Sequence, residues 1–136
     1  MTNNIEITLL SKEEYNRYKD IIPFVKDDWW LRSRGYDNDY EYYVNNNGNL
    51  CSNHVMSYRG IRPALYITLP NQKFLTVGDH IRIGSKDFII LSWEDSNLFA
   101  LCCEVIATCR FDRVTNEWNV SEIKEWLSTE GIRLIF

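Results

Sequence analysis

Residues 5–10 alternate as Ile-Glu-Ile-Thr-Leu-Leu, and the two-residue period predicts a strand. Ser11 follows, with Glu14 three positions later. That spacing lets the Ser hydroxyl and the Glu carboxylate cap each other's backbone N–H, so a helix is expected from Ser11 to about Asp20. Pro23 ends it, because the residue before a proline is pushed away from helical geometry. Tyr15, Tyr18 and Ile22 recur at helical spacing and form the stripe that packs inward. Residues 29–33, Trp-Trp-Leu-Arg-Ser, read as a strand or strand edge. Arg32 sits among apolar neighbours and needs a buried acid or carbonyls to pair with; a ligand is the other reading. Residues 42–44 and 49–52 flank Asn45-Asn-Asn-Gly48 and predict a hairpin. Asn47-Gly48 is its turn signal, since both residue types tolerate positive φ. Residues 57–60 read as a turn and 61–69 as a strand, with Pro63 near its start, where a missing N–H is tolerable.

The second half is more regular. Residues 70–73 form the best candidate linker. Beyond it a three-stranded meander is expected, with strands at 80–83, 88–93 and 98–107 and turns at 77–79, 84–87 and 95–97. Ser121 then caps a C-terminal helix whose Ile123, Trp126 and Leu127 share one face. Gly131 is expected to stop that helix, and the apolar 134–136 to dock.

Composition narrows the picture. The chain has 136 residues, enough for a single domain spanning 1–136, with a first half at 1–70 and a meander-plus-helix half at 74–136. A hydrophobic fraction of 45% makes it globular rather than disordered. A net charge of −4 argues against direct nucleic-acid binding and against an anionic membrane surface. No run approaches the ~18 apolar residues of a membrane span, and the opening MTNNIEITLL lacks the basic and apolar regions of a secretory leader. The expectation is a cytoplasmic protein. The four cysteines are 51, 102, 103 and 109. Adjacent Cys102 and Cys103 point to opposite faces if they lie in a strand, which makes a shared zinc or disulfide role awkward; the four read as reduced core or half-core thiols, with a redox or metal site the other reading.

Between Gly35 and Gly60 stand six Asn and five Tyr with few aliphatics. That makes a poor core and a good recognition surface: Tyr gives broad contact with two rotatable bonds, and Asn gives adaptable hydrogen bonding. The candidate binding residues are Tyr36, Asp37, Asn38, Asp39, Tyr40, Glu41, Tyr42, Asn46, Asn53, His54 and Tyr58. The competing reading of 36–43 is a solvated loop followed by an amphipathic strand. Asp37, Asn38, Asp39 and Glu41 carry oxygen ligands, but the strict calcium loop is absent, so no metal and no cofactor are expected. His54 has no nucleophile at a telling spacing and reads as a surface hydrogen-bonder.

The WWLRS run at 29–33, the hairpin carrying Tyr43, Val44, Asn47 and Gly48, and the closing Gly-Ile-Arg-Pro-Ala-Leu at 60–65 resemble a bacterial and phage domain family of unknown function. Leu9-Leu10-Ser11 with Glu13, Glu14 and Tyr18 extends the match. Arg34 stands where the family usually has Pro. That family is similar to C-type-lectin-like domains, including formylglycine-generating enzymes and the variable proteins of diversity-generating retroelements. The resemblance implies an α+β, C-type-lectin-like fold, with a mixed, mostly antiparallel sheet and two short helices. The second half resembles the part that usually comes first in the family. This suggests a circular permutation, or a unit cut differently from a tandem array, and implies neighbouring termini.

No P-loop, nucleophile elbow, HExxH or zinc-spaced Cys pair is present, so a non-enzymatic role is expected. The expected function is protein binding by the Tyr/Asn/Asp-rich surface. Its sharp form is a phage or mobile-element inhibitor of a host defence protein, as anti-CRISPR proteins are, with Asp27, Asp28, Asp37, Asp39 and Glu41 standing in for phosphates on a basic nucleic-acid-binding partner. The alternative is a lectin-like module that binds carbohydrate.

Overall fold

The computed structural model describes residues 5–70 and 75–136; of the expected linker, 71–73 lie outside the described residues. The elements run β1 Ile5–Thr8, α1 Lys12–Tyr18, β2 Trp29–Arg34, β3 Tyr40–Val44, β4 Leu50–His54, β5 Tyr58–Ile61, β6 Ala64–Thr68, β7 His80–Ile83, β8 Lys86–Glu94, β9 Asn97–Cys102, β10 Ala107–Arg110, α2 Glu122–Trp126 and α3 Ile132–Ile135. They make an α+β protein with two five-stranded sheets rather than one. The first sheet has the order β1-β6-β9-β8-β7 and the second β10-β5-β2-β3-β4. All pairs are antiparallel except β2 with β5. Each sheet takes strands from both sides of 71–74, so the two halves interlock.

Two expected strands turn out to be chain crossing between the sheets. Residues 61–69 break at Arg62-Pro63, with β5 in the second sheet and β6 in the first. Residues 98–107 break at 103–106, with β9 in the first sheet and β10 in the second. The crossings lie side by side: Cys102 N donates to Pro63 O at 2.8 Å and Ile106 N to Ile61 O at 2.9 Å. Of the supposed turn at 57–60, residues 58–60 belong to β5. Gly60 allows it to lie close, since a Cβ there would come within 2.8 Å of Asp28 O.

Alternation within strands divides the core. Trp29 packs with α1 between the sheets, against Leu10, Tyr15, Leu31, Ile89 and Leu101. Trp30, its neighbour, faces the opposite side with Leu9, Val55, Phe111, Ile123 and Leu127. A third cluster, with Leu65, Phe88, Ile90 and Cys102, is closed by Ile135. Cys102 and Cys103 do face opposite ways, the first into this cluster and the second against the one around Trp29. All four cysteines are free thiols.

The Ser11–Glu14 capping box forms as expected. Gly131 does not stop the last helix. Its φ is −60°, and the chain runs through a π-helical turn at Leu127–Gly131 into α3. The wide turn has a local cause: Ser128 and Thr129 hydroxyls bond back to the Lys124, Glu125 and Trp126 carbonyls. A Cβ at Gly131 would sit 3.3 Å from Leu127 and 3.6 Å from Ile7, so β1 packs against this turn near the end of the chain. The C-terminus docks through buried Ile135, whose carbonyl accepts from Ser85 N, while Leu134 and Phe136 remain exposed. Among the described residues no helix is long and apolar enough to cross a membrane.

Candidate functional site

The β3–β4 hairpin builds the site. Five successive register pairs, from Tyr40↔His54 to Val44↔Leu50, set Tyr40 and Tyr42 on one face of the second sheet and Glu41 and Tyr43 on the other. The turn differs in detail from its expectation. Gly48 takes φ +84°, but Asn47 keeps a negative φ. Asn45 stabilises the loop instead, its side-chain oxygen accepting from Asn47 N at 2.9 Å and Asn49 N at 3.0 Å.

Four aromatic rings gather on the Tyr40–Tyr42 face. The Tyr36 ring lies 6.3 Å from Tyr42 at 52°, and Tyr40 meets His54 edge-on at 6.2 Å. Lys12 Nζ stands 4.6 Å above the Tyr42 ring, while its backbone N–H donates to Ser33 Oγ. Tyr36 is 88% exposed, the most open large hydrophobic side chain among the described residues. Asp37 and Asn38 beside it are exposed, and Asp39 is half-buried. Asp39 Oδ2 lies 3.2 Å from His54 Nε2, and His54 Nδ1 accepts from Met56 N at 3.1 Å. The second bond makes Nδ1 an acceptor, so Nε2 carries the hydrogen shared with Asp39.

The approach to this face is rigid. Gly35 N donates to Tyr40 O at 2.8 Å, and a Cβ on Gly35 would collide with Ser52 Oγ and come within 2.9 Å of the Tyr40 carbonyl carbon. Asn116 is a buried strut behind the loop. Its amide nitrogen donates to Asp37 O at 2.8 Å and Tyr40 O at 2.9 Å, and its oxygen accepts from Arg34 Nε at 3.1 Å. Arg32 is tied to the framework, with Nε to Leu9 O and Nη2 to Glu14 Oε1, both at 3.0 Å. Tyr66 donates to the other Glu14 oxygen at 3.0 Å; burial, then that carboxylate, push its pKa up to about 12.

The eleven expected residues therefore do not form one surface. Tyr36, Asp37, Asn38, Asp39, Tyr40, Tyr42 and His54 cluster. Asn46 is exposed at the hairpin tip, and Asn53, exposed, pairs with Glu41 on the strand positions that face the other way. Tyr58 lies apart on β5, 66% exposed, over a cleft with Cys109, Arg110, Glu122 and Trp126. Glu41 is a correction. It is fully buried, and neither oxygen has a hydrogen-bond partner among the described residues. Burial raises its pKa to about 10 against the weaker pull of Arg34, so it is a neutral acid inside the sheet and not part of an acidic display.

Lys12, Asn116 and Glu14 were not signalled as site residues. Lys12 and Asn116 act across the fold, and only the Glu14 cap had a local sequence signature. One further pair has chemistry: Cys103 Sγ lies 3.6 Å from His80 Nδ1. Burial pushes the Cys103 thiol up despite the nearby Arg62 charge, so it stays protonated at neutral pH.

Fold and site together define a mixed α+β protein that presents an aromatic face from a braced hairpin. The family described as Domain of unknown function (DUF6273) matches residues 2–69, half of the 136-residue chain, and the protein belongs to it. The matched stretch runs from β1 through β6 and contains the whole aromatic face. No curated protein and no solved structure matches the chain.

Proposed function

We propose that this is a non-catalytic binding protein whose Tyr36–Tyr40–Tyr42–His54 face holds a protein partner. The observation that carries the reading is the exposure of Tyr36, 88%, on a loop whose backbone is fixed by Asn116. A large aromatic held open by buried hydrogen bonds binds with little ordering cost, which is how interface anchors work. The protonated Cys103 beside His80 supports a role without nucleophilic chemistry. The scaffold reads as C-type-lectin-like, supported by the WWLRS strand feeding a display hairpin in an α+β fold.

The sharper form is a phage or mobile-element inhibitor that covers a basic nucleic-acid-binding host defence protein, as anti-CRISPR proteins do. Net charge −4 and the outward Asp27 and Asp37, with half-exposed Asp28 and Asp39, support it. With Glu41 buried, the acidic set loses a member while Tyr36 stays fully displayed, which favours contact by Tyr over mimicry by charge. Carbohydrate binding is the second reading, favoured by the tilted Tyr36 and Tyr42 rings, 6.3 Å apart, next to Asp37 and Asn38.

The test is capture from bacterial host lysate at about 50 and about 300 mM salt, with wild type and an Asp37→Lys/Asp39→Lys variant. A protein held at both salts and by both proteins supports the aromatic anchor. One released by salt and lost on charge reversal supports phosphate mimicry. No retained protein, together with a glycan-array signal that Tyr42→Ala removes, would replace both with sugar binding.

A further inference from the structure

A second site lies at the far end of the groove between α1 and the hairpin. There the C-terminal end of α1, residues 22–25 and the turn at 45–48 enclose a cleft of about 320 Å³. Its walls include Tyr15, Phe24, Trp29 and Val44, and Arg62 lines it from within. Tyr15 fixes one edge by donating to Gly48 O at 2.6 Å.

Arg62 is 1% exposed, and among the described residues it forms no ion pair with a carboxylate. Nε donates to Cys102 O at 2.7 Å, and Nη2 to Pro23 O at 2.7 Å and Cys103 O at 3.3 Å. Nη1 has no hydrogen bond among the described residues. Unlike the Glu41 oxygens it is not sealed from solvent. The guanidinium carbon stands 5.0 Å from the Trp29 ring, so the cation is held between an indole and three carbonyls. A strut for two chain crossings needs only hydrogen-bond donors, which a neutral amide could supply. A full positive charge there, paired with no acid, is costly unless an anion meets it.

We propose that this cleft is a binding site for a small organic anion, a carboxylate or phosphate ester with an aromatic or apolar body. Its anionic oxygen would meet Arg62 Nη1 and its body would rest between Phe24 and the Tyr15–Trp29 floor. Phe24, 69% exposed at the lip, is free to cover the ligand. Lys19 and Asp20 both stand exposed at the rim. In water they largely offset each other, so the buried Arg62 sets the sign of the site. This site is independent of the aromatic face proposed above.

The experiment is an amide and tryptophan-indole NMR titration of the full chain with phenyl phosphate, benzoate and the neutral benzyl alcohol, each to about 10 mM, where weak binding of about −4 kcal/mol is detectable. Saturable shifts at Trp29, Phe24 and Gly48 are expected with one or both anions and not with the alcohol. Comparing the anions tells phosphate from carboxylate. Lys19→Glu should weaken binding and Asp20→Asn strengthen it, each about threefold or more, and both exposed sites leave the fold intact. Equal shifts with benzyl alcohol would mean an apolar cleft and overturn the proposal. So would no saturable shift with either anion, or affinities indifferent to both rim substitutions.

Discussion

Glu41 holds its proton in the middle of β3, and that has a consequence for the whole protein's pH response. Its ordinary pKa is 4.5 and burial raises it to about 10 in the folded state. The folded state thus binds a proton that the unfolded state has lost. Stability from this group is fully present below about 4.5 and falls as pH rises towards 10, by up to about 1.4 kcal/mol per pH unit. Glu41→Gln keeps the shape and removes the ionisation. Urea melts at pH 5, 7 and 9 should show a falling midpoint for wild type and a flatter, higher one for the variant at pH 9. A wild-type midpoint constant across that range would contradict the assignment. Asp112 acts in the other direction. Burial raises its pKa, but backbone N–H bonds from Thr115, Val114 and Glu122 win and hold it below 3.8, so its stabilisation is lost only in more acid solution. Glu41 was read from sequence as part of an acidic display because it stands with Asp37 and Asp39 in a run rich in acids and aromatics. Alternation along β3 puts it on the face opposite Tyr40 and Tyr42, where it is buried.

At the scale of elements, local signals were legible and crossings were not. The Ser11–Glu14 box needs only residues three apart, and it forms. The apolar runs at 61–69 and 98–107 read as single strands because periodicity says nothing about which sheet a residue joins. Pro63 was the one available mark, and it lies at the crossing. Gly131 misled because its small size serves packing against Leu127 and Ile7 rather than a left-handed turn. Asn116 had no sequence signal at all, since its partners are 76 and more residues away. Asn116→Ala should cost about 1–3 kcal/mol by removing two buried hydrogen bonds, leaving the Asp37 and Tyr40 carbonyls with only their backbone partners, Tyr40 N and Gly35 N. It should also speed amide exchange at Tyr40, whose N–H bonds to Asp37 O at 3.1 Å. Ser11→Ala should cost about 1 kcal/mol and leave Tyr40 exchange unchanged. Equal exchange in the two variants would remove Asn116 from its bracing role.

At the scale of the molecule, the sequence pointed to one surface and the fold divides it. Tyr36 to His54 does form a face, but strand alternation sends Asn53 and Glu41 to the other side and β5 carries Tyr58 elsewhere. This division makes Tyr58 an internal control, since it matches Tyr36 in type and is also exposed. The most direct measurement is partner capture with Tyr36→Ala and Tyr58→Ala side by side, both first checked for an unchanged melting temperature. The account predicts that Tyr36→Ala weakens binding about thirtyfold or more, as loss of an interface anchor does, while Tyr58→Ala binds as wild type. Binding that survives Tyr36→Ala and fails with Tyr58→Ala would contradict it and move the recognition surface to the β5–α2 side.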